Sequence, residues 1–363
     1  MVKYAAMIAI LGVLSLYCLQ AAWAEPVFPG KTWETKPPAE VGLEPAKLDA
    51  FKDFVGGRGC IVRHGYLVYT WGDHTRPGDL ASAAKPFYSH FLFKALAEGK
   101  IPSLDEKVAK WEPRLSEINA DLNHKDRNIT WRHMANQTSC YGIATEPGTA
   151  FNYNDYQMAL FIDTLFEKVY GLAREDWDDK LFRPALTDLI GCEDNPTLLA
   201  FGTGDRPGRV AISPRDFARF GLLYLNKGNW NGKRILDKRF TIMAANSPLS
   251  NSILTAEMVE AEMIPGQRTI GGTQIPQGEG TDHDGSYSWL WWLNGIKRDG
   301  NRHMPDAPAD AYGAYGHNAR RAMIVLPELD LIVSWNDTNI NGWDMANNAL
   351  ALLAGSLLSS DGQ

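Results

Sequence analysis

At 363 residues, with 45% hydrophobic and 22% charged residues, the chain has the composition of a globular protein able to bury a substantial core. Its formal net charge of −7 comes without a basic block or an arginine stripe, which argues against a nucleic-acid partner. The length suits two or three domains, or one large domain carrying an insertion.

The N-terminus reads as a targeting segment. Met1-Val2-Lys3 is a positive start, Tyr4 to Leu19 is an uncharged apolar run, and Ala22-Trp23-Ala24 is a small-x-small cleavage site. The run is shorter than the roughly 20 residues of a membrane span. Export to the periplasm or beyond is expected, with residues 1–24 removed and no stable membrane anchor left. Cys18 departs with that segment, leaving Cys60, Cys140 and Cys192 in an oxidising compartment. Cys60, in an apolar strand-like run, reads as a buried thiol. Cys140 and Cys192 lie in loop-like sequence and are readable either as a disulfide or as free thiols. No CxxC or HExxH occurs and the eight histidines are scattered, so no metal or other cofactor is expected.

Further along, Glu25 to Val41 is Pro-rich and extended. Leu43 to Val55 places Leu48, Phe51, Phe54 and Val55 at helical spacing. Gly59–Arg63 and Tyr66–Trp71 are strand-like and joined by the turn pair His64-Gly65. Helical spacing returns over Phe87–Gly99, Leu104–Trp111, Ile129–Asn136, Tyr153–Tyr170 and Trp177–Leu186, with little strand alternation between them. Ser213-Pro214 opens another helix that runs to Leu225. Leu254 to His283 is polar and Gly-rich, the pattern of a long loop or lid. Tyr287–Leu293, Arg321–Leu326 and Leu331–Asn336 are strand-like, with Trp289 and Trp291 on one face and Trp292 on the other. A last helix is expected from Trp343 to about Leu358. The order predicts an α/β (α+β) protein: an antiparallel sheet flanked by helices, with an inserted mostly helical domain. The boundaries expected are 25–81 with 222–363 for the α/β part and 82–221 for the helical part.

Chemistry concentrates at Ser82-Ala83-Ala84-Lys85. A serine hydroxyl is a weak nucleophile until a base takes its proton. A lysine three residues later on a helix lies on the same face, within reach of that hydroxyl. Tyr153, Asp155, Gly316, His317 and Asn318 join the candidate site through the resemblance that follows.

Several segments, in order, resemble the serine β-lactamase and penicillin-binding-protein-like superfamily, in its class C branch. Ser82-Ala83-Ala84-Lys85 is similar to the nucleophile motif, and Leu104-Asp105-Glu106-Lys107-Val108 to the start of the helical domain. Ile129–Met134 with Thr138-Ser139-Cys140, then Pro147-Gly148-Thr149-Ala150-Phe151-Asn152-Tyr153-Asn154-Asp155, are similar to the segments that follow. Ser213–Leu225 and Asn229–Leu236 look most like the branch of nylon-oligomer hydrolases and related esterases. The resemblance spans roughly Leu43 to Ser356 and implies a β-lactamase/transpeptidase-like fold. It implies Ser82 as acylated nucleophile, Lys85 as its base or proton relay and Tyr153 as a second proton shuttle.

Two departures bear on substrate. Asp155 stands where the family usually has Asn, replacing a donor-acceptor by an acceptor able to hold Lys85 by charge. The stretch Ala311–Arg320 stands where the family's Lys-Thr-Gly is expected, with His317 as its polar group. An N–H between Gly316 and Arg320 is expected to complete an oxyanion hole with that of Ser82. Arg320 and Arg321 replace small or amide residues, either to bind a substrate carboxylate or to pair with an acid. The expected function is an exported serine hydrolase acting on a small-molecule ester, amide or peptide, with β-lactams ranked below esters and amides. The alternative is a binding or sensor protein of the same fold with degenerate catalysis. An α/β-hydrolase lipase is excluded because no Gly-x-Ser-x-Gly occurs.

Overall fold

The structure is a computed structural model that describes residues 26–271 and 280–358. The signal segment expected at 1–24 lies outside them. Helix α1 (Pro45–Val55) leads into the hairpin β1 (Arg58–Arg63) and β2 (Tyr66–Trp71), as the spacing predicts. Then come β3 (Gly78–Asp79), α2 (Lys85–Ala97), α3 (Trp131–Ala135) and α4 (Asp155–Asp163). β4 (Ala211–Ile212), α5 (Pro214–Leu225), the short hairpin β5 (Asn229–Trp230) and β6 (Lys233–Arg234), and α6 (Lys238–Ala244) follow. The chain ends through β7 (Tyr287–Ser288), β8 (Trp291–Leu293), β9 (Tyr312–Gly316), β10 (Arg321–Leu326), β11 (Leu331–Asn336) and α7 (Trp343–Ala354).

The main sheet has seven strands in the order β2-β1-β11-β10-β9-β8-β7, antiparallel throughout. Its centre joins the two ends of the chain, because β1 pairs with β11 from Arg58↔Asn336 to Arg63↔Leu331. Helices cover both faces. A side chain at Gly221 of α5 would meet Met323 and Ile332, whereas Phe51 of α1 packs on Trp335. Ile332 and Trp335 are three apart on β11 and so point to opposite faces. With both faces buried, the central strands lose their alternation and read as continuous apolar runs.

Several expectations need correction. Tyr287–Leu293 is no single strand: Trp289 and Leu290, with φ of 48° and 70°, turn it into the β7–β8 hairpin. The proposed alternation of Trp289, Trp291 and Trp292 therefore does not apply. Trp289 and Trp291 are core, and Trp292 alone of the three borders the cavity described below. Leu104–Trp111 holds only a 3-10 turn at Val108–Lys110. The helix expected from Tyr153 begins two residues later and widens to π-type turns over Thr164–Val169. The run Asp178–Thr187 is also π-type, with Pro184 inside it. Cys60, Cys140 and Cys192 are all free. Cys140 packs in a small separate cluster with Ile143, Ala150 and Ala256, while Cys192 borders the main core, so the two have no common neighbourhood in which to pair.

Candidate active site

Ser82 lies in a 3-10 turn, Ala81–Ala84, that feeds directly into α2. Ala81 is left-handed at φ 50°, a conformation that costs a non-glycine residue about 1–2 kcal/mol. This sharp entry presents Ser82 to the cavity while Lys85 through Phe93 are buried on every side of α2. A helix buried all round is one that runs through a core, so the Ser82 turn is anchored to the core. The Ser-x-x-Lys spacing then does what the sequence implied: Lys85 Nζ donates to Ser82 Oγ at 2.9 Å.

The same ammonium donates to Asp155 Oδ1 at 2.9 Å, both side chains being nearly buried. It also lies 4.5 Å above the centre of the Tyr153 ring. Three candidate residues from two separate stretches thus meet at one nitrogen. Tyr153 and Asp155 are set by Asn154, the N-cap of α4, which accepts the N–H groups of Tyr156 and Gln157. A buried amide network supports that cap: Gln137 Oε1 accepts from Asn154 N and Gln157 Nε2, and Asn154 Nδ2 donates to the Tyr141 carbonyl. The long segment expected as a loop or lid runs, in its described part, along this side. Its Ile270 N–H donates to the Asp155 carbonyl, and Arg268 pairs with Asp163. Gly271 approaches so closely that a Cβ there would fall 1.7 Å from Asp155 Oδ2.

Strand β9 supplies the facing wall. A Cβ on Gly316 would come within 2.4 Å of the Leu80 carbonyl, 2.6 Å of Ala83 N and 3.1 Å of Ser82 N. Only glycine lets this strand lie against the Ser82 turn. Beyond it His317, Asn318 and Ala319 are all left-handed, at φ 50°, 55° and 63°. Their carbonyls are engaged, by Arg320 N, Gly342 N and Trp335 Nε1 in turn. Among the described residues their N–H groups meet no backbone acceptor, and all three residues border the cavity. Burial and the charges of Arg321, Arg320 and Arg209 hold the His317 imidazole below its ordinary value.

The cavity has a volume of about 570 Å³, and Ser82, Lys85, Tyr153, Asp155, Gly316, His317 and Asn318 all line it. The seven candidate residues therefore share one site. Sequence reasoning left out Asp79, Arg209, Phe201 and Trp343, which line it too. Asp79 receives Arg209 through two nitrogens and Arg321 through one. Burial pulls its carboxyl upward, but the hydrogen bonds from Arg209 and both guanidinium charges outweigh that and hold it below the usual range. The four wall residues carry no motif, and contacts 130 and 242 residues apart have no local signature. Arg320 turns away to the Thr338 carbonyl.

The sequence profile of the Beta-lactamase family matches residues 46–336. The chain belongs to that family. No curated protein matches it significantly. Among solved structures it resembles a Bacillus anthracis protein provisionally described as a 6-aminohexanoate-dimer hydrolase, at 15% identity and a TM-score of 0.59 over 90% of this chain and 86% of that one. A penicillin-binding-protein homologue from Caulobacter crescentus matches at 12% identity and a TM-score of 0.56, over 87% and 99%. EstCE1, a hydrolase with promiscuous acyltransferase activity, matches at 15% identity and 0.53, over 88% and 97%. Identities this low establish the shared β-lactamase and penicillin-binding-protein fold. Within that family fold, the chain carries Asp155 against its lysine and no Lys-Thr-Gly on the strand facing the serine.

Proposed function

We propose that this protein is an exported serine hydrolase that cleaves a carboxylic ester or amide through an acyl-enzyme on Ser82. The observation that carries the proposal is the Ser82 Oγ–Lys85 Nζ contact of 2.9 Å on the wall of an open cavity. In this reading Ser82 Oγ attacks the substrate carbonyl, forming the C–O bond as the carbonyl electrons move to oxygen. The serine proton passes through Lys85 and Tyr153 to the leaving alkoxide or amine, whose bond to the acyl carbon breaks. Water then attacks the acyl carbon, the bond from that carbon to Ser82 Oγ breaks to release the carboxylic acid, and a proton from the water returns to Ser82 Oγ.

The Ser82 amide and one from the His317–Ala319 turn are the proposed oxyanion donors, which explains three consecutive left-handed residues bordering the cavity. Esters and amides rank above β-lactams because Asp155 and the missing Lys-Thr-Gly change the groups that would meet a β-lactam carbonyl and its substituents. Export rests on the sequence of residues 1–24.

Stopped-flow turnover of a chromogenic ester and of a chromogenic cephalosporin tests the proposal. A stoichiometric burst with the ester, absent in Ser82→Ala and exceeding any turnover of the cephalosporin, is the expected result. No Ser82-dependent turnover of either would instead favour a binding or sensor protein built on this fold.

A further inference from the structure

Lys85 bonds to Ser82 in the turn before α2 and to Asp155 at the start of α4, 70 residues beyond the lysine. The span between those two segments decides whether one ammonium can reach both partners. A closed circuit of contacts sets that span, and it runs through Arg209.

The backbone of Arg209 belongs to the Ser82 side. Tyr88 of α2 donates its hydroxyl to the Gly208 carbonyl at 2.7 Å, and the Leu80 N–H donates to the Val210 carbonyl at 2.9 Å. Just beyond, β4 pairs with β3 through Asp79↔Ala211. The residues on either side of Arg209 are thus bonded to the stretch that presents Ser82. Its side chain, 11% exposed, divides the guanidinium between two directions. Nε and Nη2 grip the Asp79 carboxylate, three residues before Ser82, and Nη1 donates to the Ile270 carbonyl at 3.2 Å. Ile270 belongs to the other side. Its N–H donates to the Asp155 carbonyl, and the next residue, Gly271, lies against the Asp155 carboxylate with no room for a Cβ. Gly208, at φ 97°, is placed where a side chain would meet Ile162 of α4 and Ile270, so a glycine also brings the two sides together there.

We infer that Arg209 is a positioning residue for acylation: its guanidinium locks the Ser82 turn to the segment that covers Asp155 and so sets the span that Lys85 bridges. This rests on the serine-hydrolase reading above. Arginine suits the task because its planar fork bonds in two directions at once, whereas a lysine ammonium is a point charge. The role is separable from folding. Arg321 also donates to Asp79, so loss of Arg209 strands no carboxylate, and the Tyr88 and Leu80 contacts to the neighbouring carbonyls remain. What is lost is the link to Ile270, and with it the register of the two partners of Lys85.

The rate of Ser82 labelling by a neutral fluorophosphonate, followed against probe concentration, tests this in Arg209→Ala and Arg209→Lys. The probe carries no charge, so a guanidinium that merely attracted an anionic substrate would not affect it. In Arg209→Ala the maximal labelling rate is expected to fall on the order of tenfold or more, with the half-saturating probe concentration unchanged. Arg209→Lys, which keeps the charge beside Asp79, is expected to lie in between. Guanidinium ion at millimolar concentration, far below denaturing levels, is expected to restore the Arg209→Ala rate saturably, because Arg209 borders the open cavity. Sodium ion at the same ionic strength is not, and neither ion changes the wild type. A full labelling rate in Arg209→Ala overturns the inference, as does a change confined to the half-saturating concentration. A slowed variant that guanidinium does not rescue, with lysine no better than alanine, also overturns it, because that is general loosening of the fold. Each of these leaves the hydrolase reading standing. If the wild type takes up no probe at Ser82, the hydrolase reading falls and takes this inference with it.

Discussion

At the scale of single residues, Lys85 is the junction of the site, shared by Ser82, Asp155 and the Tyr153 ring. Removing one member of a buried ion pair strands the other, at a cost of about 3–5 kcal/mol. Asp155→Ala is therefore expected to lower the melting temperature sharply and slow acylation. Asp155→Asn, whose amide oxygen still accepts from Lys85, is expected to lose less of both; thermal melts alongside probe-labelling rates compare them. Equal losses in the two variants would mean that charge, not hydrogen bonding, secures the lysine.

Gly316→Ala drives a methyl group into the backbone of the Ser82 turn. A displacement of about 1 Å there is expected to cut the labelling rate on the order of a hundredfold, a loss the same melts and probe will register. Ser82 and Lys85 were legible in the sequence because their relation is local, three residues along a helical turn. Arg321 and Asp79 were not legible as partners, since only the folded chain brings the start of β10 to the end of β3, 242 residues away.

Among the elements, α4 shows how a cap positions chemistry. Asn154 ends the extended chain, starts the helix and thereby orients Tyr153 on one side and Asp155 on the other. Asn154→Ala is expected to cost about 1–2 kcal/mol and to slow acylation, because the cap orients Tyr153 and Asp155. A chemical denaturation midpoint and a labelling rate report the two effects, and a stability loss at full labelling rate would contradict the positioning role.

The outer helices and the long strands were legible because their apolar periods are strong. The β7–β8 hairpin was not, since Trp289 and Leu290 occupy turn positions where sequence rules look for Gly or Asn. β9 escaped for the converse reason. Its Tyr-Gly-Ala-Tyr-Gly sequence has the glycines demanded by close packing on Ser82 in place of a β-branched run. The left-handed turn after it has no glycine to announce it.

The whole molecule closes its sheet by pairing β1 with β11, so the site is held between segments far apart in sequence. Its stability should respond to acid through buried histidines. Burial lowers His90 to about 3 and His303 to about 4. The unfolded chain then binds more protons, so this stability is present above an unfolded value near 6.5 and is lost as pH falls toward the folded values. Asp216, raised by burial to about 6, has the opposite sign: its contribution diminishes as pH rises from near 4 to 6. Two histidines against one carboxylate predict a stability that falls between pH 7 and pH 5, by about 1.4 kcal/mol per pH unit for each net proton the unfolded chain takes up, read as a falling melting temperature. Asp216→Asn is expected to steepen that fall, and a flat profile in both proteins would contradict the assignment.

The most direct measurement of the central claim is the intact mass of the protein, without its first 24 residues, after reaction with a fluorophosphonate serine probe, with Ser82→Ala in parallel. One adduct per chain on the wild type, mapped to the peptide containing Ser82 and absent from the variant, is the predicted result. A folded wild type that takes up no probe, or an adduct that persists in Ser82→Ala, would contradict it.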